Sequence, residues 1–155
     1  MRDRIRPPKD LEPVLDSLKN DGFFETKQKA LMFAAAVGYA IERKKETQGQ
    51  PLEAYGEGIR LEYFERPWDA RFIDLVAIAV KADLQVLVDS SQPWRIELFE
   101  RFAHSGLMEI DRLCYTGSQD PMLGLLGIID RMAYEERTDA LPGLDAERQE
   151  VEKLL

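Results

Sequence analysis

Apolar positions along this chain recur mostly at helical spacing. Between Lys9 and Lys19, Leu11, Val14, Leu15 and Leu18 share one face, and Pro13 sits in the first turn, where a missing N–H is harmless. Asn20-Asp21-Gly22 ends that helix. After Phe23 and Phe24, Thr26 is a suitable N-cap for a second helix, with Phe24 placed to staple against Ala30. From Ala30 to Ile41 twelve apolar or small residues run without interruption. A bilayer needs about 20, so the block predicts a helix buried on most of its circumference. Leu31, Ala34, Ala35, Gly38 and Ile41 form one stripe, and its small residues let another backbone come close. The cations that follow, Arg43, Lys44 and Lys45, suit the negative end of the helix dipole.

The second half continues the pattern after one interruption. Thr47 to Gly58 holds three glycines and Pro51 and is expected to be a loop. Residues 59–64 alternate apolar and polar and predict one short strand or extended segment. That segment has no evident partner in the chain, so it is expected to be an edge for a second copy or a connection. Asp69 is placed to cap a helix running to about Ala82. Pro93 opens another through Ile96, Leu98, Phe99 and Phe102, with Glu97 and Arg101 as an i,i+4 pair. Gly106 is expected to break or bend the path before a further piece through Leu107, Ile110, Leu113 and Cys114. A last helix starts at Pro121 and continues to Met132. The prediction is an all-α protein, a compact bundle of about six helices. Residues 1–8 are expected to be a flexible basic arm, because Pro7-Pro8 keeps them out of a helix. Residues 9–134 form the helical domain, and 135–155 an acidic tail, mobile or weakly helical.

Charge narrows the possible partners. The net charge of −8 disfavours a nucleic-acid binder, since such proteins draw affinity from cations neutralising phosphates. The tail from Glu135 to Leu155 holds seven acidic residues against three basic ones, so part of that acidity sits at one end. Two basic features remain as candidate phosphate contacts: Arg2, Arg4, Arg6 and Lys9 on the arm, and Arg43, Lys44 and Lys45 after the second helix. The plainer readings are a solvated terminus and helix-end cations; DNA contact requires both sets on one face. A single cysteine excludes an internal disulfide, and no apolar leader follows the first residues, so a cytoplasmic protein without membrane attachment is expected.

Catalytic candidates are few. His104 near a helix end reads as a capping or surface residue, and Cys114 among Ile110, Leu113 and Tyr115 as a small buried hydrophobe. Asp74, inside the apolar run Phe72 to Val80, reads either as solvent-facing on a narrow polar stripe with Lys81 or, the favoured reading, as half of an ion pair with a buried arginine such as Arg71 or Arg112. Gly117, Gly124 and Gly127 lack the Lys-Ser/Thr of a phosphate loop. No catalytic set, cofactor or metal site emerges, and a non-enzymatic protein is expected.

Several segments in order resemble a known family. They are Arg2-Asp3-Arg4-Ile5-Arg6-Pro7; Phe24-Glu25-Thr26 leading into Ala30-Leu31 and Phe33-Ala34-Ala35-Ala36-Val37-Gly38; Ile73-Asp74-Leu75-Val76-Ala77-Ile78-Ala79; and Phe99-Glu100-Arg101-Phe102-Ala103-His104-Ser105-Gly106-Leu107. Together they are similar to the Dnd system-associated protein 4 family, found beside bacterial genes for DNA phosphorothioation. The resemblance implies a link to the machinery that replaces a backbone phosphate oxygen of DNA with sulphur, or to the restriction (a phage defence) that accompanies it. It carries no catalytic motif, and the chain lacks the cysteines of a sulphur carrier or desulphurase. Two functions follow from the resemblance: an adaptor for other Dnd-system proteins, alone or as a homodimer, or a DNA-contacting or regulatory protein using the basic arm.

Overall fold

The computed structural model describes residues 1–66, 69, 71–117, 120–140 and 153–154. Five α-helices carry the fold: α1 (Glu12–Asn20), α2 (Lys27–Glu42), α3 (Phe72–Lys81), α4 (Gln92–Ile110) and α5 (Pro121–Ala140). One small antiparallel ladder joins β1 (Arg4–Ile5) to β2 (Ile59–Arg60). The all-α architecture is as the periodicity predicts.

α2 and α4 form the centre. Thr26 caps α2, its hydroxyl accepting from the Lys29 N–H at 3.2 Å. Ala30, Leu31, Ala34, Ala35 and Val37 are buried, and so is nearly all of α4 from Arg95 to Leu107. Two glycines set how closely the helices cross. A Cβ on Gly38 would lie 1.8 Å from the Phe102 carbonyl oxygen, and one on Gly106 would lie 1.7 Å from that of Ala34. Gly106 therefore does not break the helix, contrary to its reputation as a helix breaker. α4 runs straight through it, because the missing side chain is needed for the crossing. This merges the two helical pieces expected on either side of Gly106. The helix ends in a π turn over Asp111–Tyr115.

Aromatic rings fill the space beside this crossing. Phe99 meets Phe64 and Phe72 edge-to-face at 5.7 and 6.1 Å, and Phe102 meets Tyr39 at 5.7 Å. Each fully buried phenylalanine contributes roughly 2–3 kcal/mol of burial. α1 adds Val14, Leu15 and Leu18, and α5 adds Leu125 and Ile128.

The short segments depart from expectation in three ways. Ile59–Arg60 finds its partner inside the chain, pairing Ile59 with Ile5 and Arg60 with Arg4, after which residues Leu61–Phe64 turn into a 3-10 helix. Residues 1–8 are accordingly not a free arm: Ile5 is fully buried, and Lys9 N–H donates to the Ala54 carbonyl at 3.1 Å. Asp69 does not cap α3 with its side chain; it is buried and accepts from Gln28 and Lys29 on α2 at 2.9 and 2.5 Å. α5 extends to Ala140, past the boundary expected near residue 134, while the rest of the acidic tail from 141 to 152 lies outside the described residues.

Candidate interaction surfaces

The Arg2 side chain and the Arg6 backbone converge on one buried acid. Glu100, on the face of α4 turned to β1, is 1 % exposed. The Arg2 guanidinium grips it with two donors, at 2.6 and 3.0 Å, and the Arg6 N–H donates to it at 2.7 Å. Gln92 completes the seat by accepting from the Arg2 N–H and donating to the Arg2 carbonyl, at 2.9 and 2.7 Å. Burial pushes the Glu100 carboxyl up from its ordinary range, with Arg2 and Arg6 pulling the other way. A bidentate arginine in a desolvated site is a structural clamp.

The remaining candidate cations separate. Arg4 and Arg60 are opposed in the ladder and share its exposed face, Arg4 donating to the Gly58 carbonyl at 2.9 Å and Arg60 pairing with Glu62 at 3.3 Å. The Arg6 guanidinium lies over the Tyr55 ring at 5.5 Å, and Lys9 is exposed. Arg43, Lys44 and Lys45 form a 3-10 turn at the end of α2, where Lys44 reaches Glu135 of α5 at 3.3 Å. Thus Arg2 and Arg6 meet at Glu100, while Lys44 is held at a different element.

Other titratable groups serve the fold. Arg95, buried, donates to the Val86 and Val88 carbonyls at 2.6 and 2.9 Å and meets Asp74 at 2.9 Å, while Arg71 reaches the same carboxylate at 3.3 Å. Asp74 is thus half of an ion pair, as expected, but Arg71 reaches it from an exposed position, and the buried partner is Arg95, in place of Arg71 or Arg112. These groups line a cavity of about 240 Å³ with Asp89 and Gln92. His104 is buried rather than at the surface. Its Nδ1 donates to the Pro51 carbonyl at 2.9 Å, and its Nε2 is 3.9 Å from Asp10. With Ser105 accepting from the Gln50 N–H at 2.9 Å, it pins the loop after α2 onto α4. Cys114 is buried against Gly124, and burial pushes its thiol up. Among the described residues no group of three or more His, Cys, Asp or Glu gathers as a metal would need. Likewise, no helix is long and apolar enough to cross a membrane.

The surface least explained by folding is an apolar groove. Ala36 and Ala40 of α2, Phe72, Leu75 and Ala79 of α3, and Met132 of α5 line most of about 310 Å³ of space, with Tyr39, Val76 and the Arg43 side chain completing its wall. Leu75 is 59 % exposed at its edge. The alanines keep the floor shallow, as a docking helix requires. Sequence periodicity alone could not locate it, because α3 is apolar on nearly every face and the exposed side depends on where α2 and α5 lie.

A family model described as DNA sulphur modification system-associated protein 4 matches residues 4–147. Comparison with curated proteins and with solved structures gave no match.

Proposed function

Because the chain belongs to the DNA sulphur modification system-associated protein 4 family, we propose that it is a non-enzymatic accessory that docks onto another protein of that system. The α2–α3–α5 groove carries this reading, since a half-exposed Leu75 beside alanines offers apolar area that the fold itself does not use. The occupant is an apolar helix face of a modification or restriction component. Neither the apolar block of α2, which packs on α4, nor residues 59–60, which pair with β1, is free to dock a partner. The test is a pull-down from cells carrying the system, with bound components identified by mass spectrometry. Leu75→Glu is expected to cut recovery of a system component at least about tenfold while leaving the helical circular dichroism unchanged. Undiminished recovery sinks the groove as the docking site.

A second reading, contact with DNA, is favoured by Arg4 and Arg60 standing opposed on the exposed face of the ladder with Arg6 nearby. It no longer includes Arg2, whose guanidinium is spent on Glu100. Gel shifts on sulphur-modified and unmodified duplexes, with Arg4→Ala and Arg60→Ala, decide it. Salt-weakened binding that both substitutions reduce supports DNA contact; absent or salt-insensitive binding removes it.

A further inference from the structure

One cavity gathers hydrogen-bond acceptors with no lysine or arginine of the chain in its wall. It holds about 290 Å³ between Asp10 of the 3-10 turn Lys9–Leu11, loop residues Pro51, Glu53 and Ala54, and His104 and Met108 of α4. The His104 side chain is 8 % exposed. Its Nδ1 faces the Pro51 carbonyl, which can only accept, so Nδ1 carries the proton and Nε2 of the neutral ring is left an acceptor. That lone pair turns toward another acceptor, since the Asp10 carboxylate stands 3.9 Å away, beyond hydrogen-bond reach. Glu53 adds a second exposed carboxylate to the wall. Elsewhere the acids that turn inward meet a cation of the chain: Glu100 meets Arg2, Asp69 meets Lys29 and Asp74 meets Arg95. Here neither Asp10 nor Glu53 has a lysine or arginine partner among the described residues. A buried acceptor facing a carboxylate is satisfied by a donor that also carries positive charge.

We propose that this cavity binds a primary ammonium group. The three N–H donors of an ammonium match His104 Nε2 and the carboxylates of Asp10 and Glu53. Pro51, Ala54 and Met108, the last 48 % exposed, supply apolar walls for the methylene stem behind the charge. Asp10, with its side chain 72 % exposed, is free to swing onto the bound cation. The same chemistry is offered by a free diamine and by a lysine of a partner protein. The site shares no wall with the α2–α3–α5 groove and does not rest on the docking reading.

His104 is the single histidine of the chain, so its imidazole nitrogen signals in NMR report on this site alone. Butylammonium titrated into the full chain at about pH 8 is expected to shift the Nε2 signal saturably. Tetramethylammonium, which has the charge but no N–H, should not. Asp10→Asn and Glu53→Gln are each expected to weaken butylammonium binding at least about threefold. Asp10→Lys, which brings an ammonium of the chain's own, should abolish it. Both positions are exposed, so the helical circular dichroism should persist in every variant. Putrescine and N-acetyl-lysine amide, compared in the same titration, distinguish the sources: the tighter of the two assigns the site to a free diamine or to a partner's lysine. Leu75→Glu, in the groove, should leave these titrations unchanged, which separates failure of this proposal from failure of the docking reading. No saturable Nε2 shift, an equal shift with tetramethylammonium, or binding that survives Asp10→Lys overturns it.

Discussion

At the scale of single residues, Arg2 and Arg4 show how little sequence proximity says about role. Two positions apart in a basic segment, one clamps a carboxylate that is 1 % exposed and the other lies on the outer face of a two-residue strand. Removing one partner of a buried pair leaves the other charge desolvated and uncompensated. Arg2→Ala should thus lower the unfolding free energy by about 2–4 kcal/mol, whereas Arg4→Ala should cost under about 0.5 kcal/mol. Urea denaturation midpoints of the two variants check this, and equal small losses would mean that the clamp contributes little. The four arginines and lysines of the first nine residues read alike because charge is visible in a sequence and its buried counterpart is not. Glu100 lies in a helical run where Glu97 and Arg101 offered a plausible surface pairing, and nothing local marks it as the acid that turns inward.

Among the elements, helix existence was legible and helix continuity was not. The 3.6-residue pattern located α1 to α5 and the Thr26 cap, because each amphipathic face must bury somewhere. It failed at Gly106, where the local cost of glycine suggested a break while the crossing partner supplied the compensation. The same holds for Ile59–Arg60, whose partners Ile5 and Arg4 lie 54 and 56 residues back, beyond any local signal. The crossing leads to a quantitative expectation. Gly38→Ala or Gly106→Ala drives a methyl into a carbonyl oxygen and should destabilise by about 2–3 kcal/mol or more. Thermal unfolding measures the loss; a melting temperature within a degree or so of the parent in both variants would show that the helices can part cheaply.

Across the whole molecule, α5 is fastened at its middle by charge as well as by Leu125 and Ile128. Glu109 near the end of α4 accepts from Arg112 at 2.7 Å and from Arg131 of α5 at 2.9 Å. Arg112 first and Arg131 after it hold that carboxyl down at about 2, against an ordinary 4.5. A carboxylate with a depressed folded-state value contributes stability above its unfolded value and loses it as pH falls through the folded one. Stability should accordingly fall between about pH 4.5 and 2, and Glu109→Gln should flatten that part of the profile while lowering stability at neutral pH. Denaturant titrations across this range decide it; an unaltered acid limb in the variant would assign the loss to other carboxylates.

The clamp on Glu100 also has a consequence in time. Arg2 precedes its partner in the chain by 98 positions and is synthesised well before it. The ladder strand and its guanidinium must stay unsatisfied until α4 has emerged and met α2, because the site they close is built by those helices. This contact closes a loop of 98 residues, a high-separation latch whose closure cost the helices must offset. A protein trimmed of its first six residues, on the assumption that they are a tail, would lose the buried Ile5 and leave the Glu100 carboxylate unanswered.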